Sequence, residues 1–344
     1  MSRWNDRAVA GAVGVLMSLC ACPALADDVA DFYKGKTLTI VVGHEVGTGF
    51  DIYGRTLARH LGRHIPGNPN VVVQNMVGAS GIIAANWLYN IAPKDGTAIA
   101  TFVQTVPFEP LLGNTAGKFD PAKFTWVGNM EESVATCGVS KTSGITKFED
   151  LLVKETTFGA TGATGTLGTF ALAVKNLLGA KIKLVSGYPG SSSVKVAMQR
   201  REVDGICGLV MSTITSLWRE EYESGFFKPI IQLSGRKHPD LKDAPHVDDY
   251  AKTEEDRQVF GLIFGAKALG RIFLSSPGVP SARKLALRAA FMATMKDEQF
   301  LADAAKMQID LSPMTGDDVE ALIAQLSAVS PRVIERTKQA LRND

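Results

Sequence analysis

His60 and His64 stand four residues apart, the spacing that puts two imidazoles on one helix face within reach of a single metal ion. A zinc hydrolase of that kind needs HExxH, and the motif is absent. Arg55, Arg59 and Arg63 share the segment, which therefore reads as a solvated basic face. His238 and His246 lie in a Pro/Asp-rich loop with no cysteine nearby. The acid pairs Asp27-Asp28, Glu131-Glu132, Glu220-Glu221 and Asp317-Asp318 fall at termini, turns or helix starts, where carboxylates are solvated or capping. GxSxG and GxxxxGK[ST] are both missing. No acid, base and nucleophile converge, so the chain is expected to be no enzyme, with no metal and no cofactor; a hydrolase is the weakest alternative.

Glycines and hydroxyls carry the stronger signal. Gly43-His44-Glu45-Val46-Gly47-Thr48-Gly49-Phe50-Asp51 follows one apolar run, and Gln74 to Gly81 follows another. Later, Gly159-Ala160-Thr161-Gly162-Ala163-Thr164-Gly165-Thr166 and Gly187-Tyr188-Pro189-Gly190-Ser191-Ser192-Ser193 occupy equivalent places. Loops of this composition between a strand end and a helix start offer unpaired N–H groups, close backbone approach and hydroxyl donors. That suits an anion. Helix dipoles contribute only ~0.3–1 kcal/mol and each bond to a charged group roughly 1.5–3 kcal/mol. Micromolar binding needs about 8 kcal/mol, so several loops must converge. Asp51 reads as a helix cap, since a carboxylate would repel the guest. His44 either contacts a polar end of the ligand or is a solvated loop residue, and Gln104 and Thr105 either line the same cleft or form a plain loop.

The elements that must position these loops alternate. Thr37–Val42, Asn70–Val73 and Thr97–Val103 read as strands, with helices over Asp51–His64 and Ser80–Ile91. The pattern restarts with strands near Phe124–Gly128, Ser133–Val139, Thr156–Gly159, Lys181–Ser186, Val203–Gly208 and Pro229–Leu233. Helices are expected at Lys147–Lys154, Thr166–Leu178 and Ser191–Arg200, and the chain from Pro280 on reads as mainly helical. Such alternation predicts an α/β protein of two lobes, each with a central mostly parallel sheet flanked by helices.

Arg3 and Arg7, the apolar stretch Ala8–Cys20 and Ala24-Leu25-Ala26 form a three-part export signal, with cleavage expected after Ala26. Lipid anchoring at Cys22 is the minor alternative. The remaining chain of about 320 residues exceeds what one core usually serves. Formal charge falls from +2 to +1 once Arg3, Asp6 and Arg7 are removed, which argues against nucleic acid. Cys137 and Cys207 survive processing, as one disulfide or as two separately buried thiols.

Phe32–Gly43 (FYKGKTLTIVVG), Gly47–Asp51, Leu57–Gly81, Ala92–Thr97 (APKDGT), GYPGSSS at Gly187–Ser193, REVDG at Arg201–Gly205 and SSPGVP at Ser275–Pro280 together resemble the tripartite tricarboxylate transporter receptors, the Bug family of solute-binding proteins. The resemblance implies a type II periplasmic-binding-protein fold, with residues 27–131 and 241–344 in lobe 1 and 132–240 in lobe 2. It implies a small organic carboxylate as ligand, integral-membrane transporter subunits as partners, a periplasmic location and a monomer. A sensor feeding a signalling partner is the alternative from another class. Carried over by motif, Gly47, Thr48 and Gly49 would grip the ligand from the first lobe. Thr161, Gly162, Thr164, Gly165 and Thr166, with Tyr188, Pro189, Gly190 and Ser191, would grip it from the second. Thr48 departs from the family's paired glycines and would add a donor or narrow the cleft; His44 and Glu45 replace smaller residues.

Overall fold

The computed structural model describes residues 24–161 and 166–342. Residues 1–23 of the expected signal segment 1–26 therefore lie outside the described residues, as do Gly162, Thr164 and Gly165; Ala24–Ala26 open the helix Ala24–Tyr33. Among the described residues no helix is long and apolar enough to cross a membrane.

Among the described residues eleven strands form two sheets. The first contains β1 (Thr37–Val42), β2 (Asn70–Asn75), β3 (Ala98–Thr101), β4 (Thr125–Asn129), β10 (Ile272–Ser275) and β11 (Met314–Thr315), in the order β11-β4-β10-β3-β1-β2. The second contains β5 (Ala135–Ser140), β6 (Thr156–Ala160), β7 (Ile182–Ser186), β8 (Gly205–Val210) and β9 (Phe227–Leu233), in the order β7-β6-β8-β5-β9. Each sheet has helices packed on it, as an α/β reading requires. The expectation of mostly parallel sheets needs correcting, because both are mixed. β1 is parallel to β2 and β3, and β6 to β7 and β8. The strands at or next to the crossings between sheets, namely β4, β5, β9, β10 and β11, make antiparallel pairs. The reason is topological: β10 enters from the neighbouring sheet at the end where β3 leaves, so it must run the other way.

Burial explains the strands. β1 has Leu38, Ile40, Val41 and Val42 inside, and every residue of β4 and β5 is buried. Cys137 and Cys207 face each other across β5 and β8 and are joined as a disulfide. The helix Gly49–Leu61 buries Tyr53, Leu57, His60 and Leu61 on one face. Its basic residues are not simply solvated. His60 Nε2 lies 2.8 Å from Asp303 Oδ2 and His64 Nε2 lies 3.0 Å from Asp297 Oδ2, while Arg59 pairs with Asp303 and Arg63 with Asp297. The two histidines thus serve two different carboxylates at the helix Glu298–Lys306, so their metal-like spacing has a packing origin.

Between Leu233 and Ile272 the chain returns from the second sheet to the first. The helix Glu254–Ile263 in this return packs on the C-terminal helix Pro331–Ala340, which also lies against Thr166–Leu178. Arg336 pairs with Asp256 and Glu255, and Asn176 Nδ2 donates to the Ala340 carbonyl at 3.0 Å. Parts of the stretch assigned by sequence to lobe 1 are therefore bound against a helix of the second sheet.

Candidate ligand-binding cleft

β1, β2 and β3 end side by side, and their following loops crowd together. A Cβ at Gly43 would lie 2.9 Å from Phe102 Cβ and 3.1 Å from Gly81 Cα. Only glycine permits that approach. The first loop is held by a buried acid: Asp51 Oδ2 accepts from Gly47 N at 2.9 Å, and its oxygens accept from Arg55 Nε and Asn75 Nδ2. Burial alone would raise the Asp51 pKa, but these donors hold it below the ordinary carboxylate range. The helix cap position expected for Asp51 is held by Thr48; Asp51 lies in the first turn and reaches back to Gly47 N instead.

Two expectations for this loop change. Gly47 N–H is already committed to Asp51, and Thr48 Oγ1 donates to the Glu45 carbonyl at 2.8 Å. Thr48 thus closes its own turn, and its hydroxyl keeps only acceptor capacity. His44 is half-buried and stacks on Phe50, with centroids 4.8 Å apart and planes 9° from parallel. Its Nε2 is buried without a hydrogen bond. Burial first, then the nearby Arg271, pushes its pKa down, so the ring is neutral near pH 7. The solvated-loop alternative for His44 does not describe it.

Arg271 is the residue that the sequence reading missed. It immediately precedes β10 at the second crossing, and its guanidinium lies 4.6 Å from the Phe50 centroid and 4.7 Å from that of Tyr53. A Cβ at Gly49 would stand 3.0 Å from Arg271 Nη2, which places the cation at the first turn of the helix Gly49–Leu61. Arg271 Nη1 donates to the Gly270 carbonyl at 2.7 Å, whereas Nε is buried without a hydrogen bond. Glu131 Oε2 is 3.8 Å from that nitrogen.

Both crossings meet here. Asn129 Nδ2 donates to the carbonyls of Glu131 and Ala268, and its Oδ1 accepts from Arg271 N at 2.8 Å. A Cβ at Gly270 would lie 2.5 Å from Ser133 Oγ and 2.7 Å from the Glu131 carbonyl oxygen. Glu131 is buried, contrary to the solvated reading of the Glu131-Glu132 pair. Ser133 Oγ donates to it at 2.9 Å. Lys267 is also at this junction, 5.8 Å from the Phe170 centroid. Burial, then Arg271, pulls its pKa down to about 8.

In the second sheet the loops after β6 and β7 adjoin, with Tyr188 N donating to the Ala160 carbonyl at 3.2 Å. Thr166 begins its helix against Gly208 of β8. Thr161 and Pro189 are exposed, and Gly190 and Ser191 are partly so. Gln104 is buried and Thr105 is exposed, in a turn after β3. Among the described residues no hydrogen bond joins Gly47–Gly49 to Thr161, Thr166 or Tyr188–Ser191. Gly47, Gly187 and Gly190 face open space.

A cavity of about 280 Å³ lies on one side of Glu131, with Ser133, Ser212, His238 and Asp310 in its wall. It is acidic and does not suit an anion. A larger one, about 930 Å³, is bounded by Leu177, Tyr250, Phe260, Arg332 and Arg336, away from the glycine loops. The anion-compatible surface is the Gly49–Arg271 side of the junction. No group of residues able to hold a metal occurs among the described residues.

Solved solute-binding proteins share this fold. A TctC solute-binding protein from Polaromonas aligns over 90% of this chain and 98% of its own at 17% identity and a TM-score of 0.70. MatC from Rhodopseudomonas palustris, solved with bound malate, aligns over 89% of this chain and 99% of its own, at 16% identity and a TM-score of 0.56. An R. palustris protein solved with adipate aligns over 88% and 97%, at 19% identity and a TM-score of 0.58. No family model matches the chain, and no curated protein matches it in sequence.

Proposed function

We propose that the chain is an extracytoplasmic receptor of the tripartite tricarboxylate (Bug) type, capturing a small organic carboxylate for integral-membrane transporter subunits. The observation that carries this is Arg271, packed against Phe50 and Tyr53 beside Gly49, with a buried Nε that makes no hydrogen bond and only a long ion pair to Glu131. A guanidinium fixed by aromatic faces has little reorganisation left to do when a carboxylate arrives. The fold shared with malate- and adipate-bound proteins supports the same class of guest.

On this reading, export removes the segment up to Ala26, and the two sheets are the cores of lobes that hinge at Glu131–Ser133 and Ala268–Arg271. A ligand gripped by both lobes favours the closed arrangement through its higher affinity for it. The chain does no chemistry on its guest. Isothermal calorimetry of the mature chain against malate, adipate and a panel of other organic acids tests the reading. Saturable binding with the acid recovered unchanged is expected; turnover of the acid, or no binding across the panel, would overturn it.

A further inference from the structure

β4 is buried along its whole length, yet it ends in an asparagine. Strands disfavour asparagine, and a buried amide costs free energy unless its donors and acceptor are used. Asn129 is fully buried and uses both ends of its side chain. Nδ2 donates to the Glu131 carbonyl at 2.6 Å, in the first crossing, and to the Ala268 carbonyl at 3.0 Å, in the second. Oδ1 accepts from Arg271 N at 2.8 Å. The Arg271 carbonyl in turn accepts from Met130 N at 2.9 Å. Both backbone polar groups of Arg271 are thus held by the end of β4, although 142 positions separate it from Asn129.

What that backbone carries is the cation of the proposed site. Arg271 Nη1 folds back to the Gly270 carbonyl, and the guanidinium rests against Phe50 and Tyr53. Ring faces attract a cation without fixing it in one direction. How far the guanidinium reaches along Gly49 is therefore set by where the Arg271 backbone is held. A binding group must be kept within about 0.5 Å of its working position by the residues behind it. Resting on the carboxylate-receptor reading, we propose that Asn129 is the positioning residue of the site. It holds Arg271 at the first turn of the helix Gly49–Leu61 and ties the two crossings together behind it. At this length an amide alone meets all three demands, since ionised aspartate donates nothing and serine donates once.

Loss of any buried amide lowers the melting temperature, so the test reads coupling instead. It is a double-mutant cycle of affinity by calorimetry in the full mature chain, with malate and adipate as probes. Asn129→Ser is expected to weaken binding about tenfold and Arg271→Gln about a hundredfold. In the Arg271→Gln background, Asn129→Ser should cost no more than about twofold further, because the group it positions has gone. Losses that multiply to about a thousandfold would mean that Asn129 acts on the fold alone, and the proposal falls. Should Asn129→Ser fold poorly, Asn129→Asp, of nearly the same shape, enters the same cycle. A second arm needs no ligand: phenylglyoxal modification of Arg271, followed by peptide mapping. The Asn129 variants should be modified about threefold to tenfold faster, the effect of a small loss of local protection. An unchanged rate overturns the positioning role. Failure of the folded wild type to bind any acid of the calorimetric panel overturns the receptor reading instead, and the modification rates still decide whether Asn129 seats Arg271.

Discussion

The guanidinium carbon of Arg271 lies 4.7 Å from the centre of the Tyr53 ring, and the Tyr53 hydroxyl donates to the Asp310 carbonyl at 3.0 Å. One aromatic residue therefore packs on the cation at the second crossing and ties the helix Gly49–Leu61 to the segment leading into β11. Burial and the neighbouring Glu131 push the Tyr53 pKa well above its ordinary value, so the phenol stays neutral and keeps donating.

Phe50 covers the same guanidinium and carries the His44 ring. Phe50→Leu is expected to weaken binding of a carboxylate about fivefold to tenfold, the value of about one cation–π contact. The ring is half-buried at the loop rather than in the core, so thermal unfolding should move by only a degree or two, on the order of a small surface change. Calorimetry and a melting curve on the same sample separate the two effects.

Lys267 sets a pH dependence with a definite sign. Its folded pKa of about 8 is below its ordinary value, so between pH 8 and about 10 the unfolded chain binds more protons than the folded one. Ligand-free stability should therefore rise through that window. Urea midpoints measured from pH 7.5 to pH 10 read that rise, and Lys267→Met should flatten it.

The seam between Gly49–Leu61 and Glu298–Lys306 governs the acid side. Asp297 is held well below the ordinary carboxylate range by the Phe300 N–H, then by Arg63 and His64; His60 and Arg59 do the same for Asp303. Depressed carboxylates stabilise fully above their unfolded pKa, and that stabilisation drains as pH falls below about 4. Urea midpoints at pH 6 and pH 3 should therefore differ more for the wild type than for the Asp297→Asn, Asp303→Asn double variant.

Gly270→Ala drives a methyl into Ser133 and the Glu131 carbonyl where both crossings touch. Overpacking of this kind costs about 1–3 kcal/mol. Because the clash sits at the proposed hinge, ligand affinity should fall as well; a variant with wild-type melting and wild-type affinity would show that the crossings part easily.

Much of the scaffold can be read from residues alone. The β-branched run Thr37–Val42 and the helix Thr166–Leu178 fall where their patterns put them, because a buried strand and a long apolar helix leave strong periodic signals. β10 and β11 leave none. Four residues ending in Ser275-Ser276-Pro277-Gly278 look like the approach to a turn, and two residues make no pattern at all. Arg271 was hidden for that reason: its meaning depends on a short strand inserted between β3 and β4, more than two hundred positions after the loop it serves. Glu131 was misread similarly, since an acid pair in a turn looks solvated until the second crossing covers it. The glycine loops were visible as loops. Which of their donors are already spent, as at Gly47 and Thr48, emerged only with coordinates.

The placement of β10 also dictates an order of assembly. Everything in the second sheet comes from the unbroken stretch 135–233, so it can close as soon as that stretch has emerged. The earlier half has to wait, with the Ala98–Thr101 edge bare and Thr125–Asn129 unattached, until residues 272–275 arrive to zip them together. A nascent or truncated chain ending before Ile272 would present that raw edge to its neighbours, which makes the interval the one in which clumping threatens most.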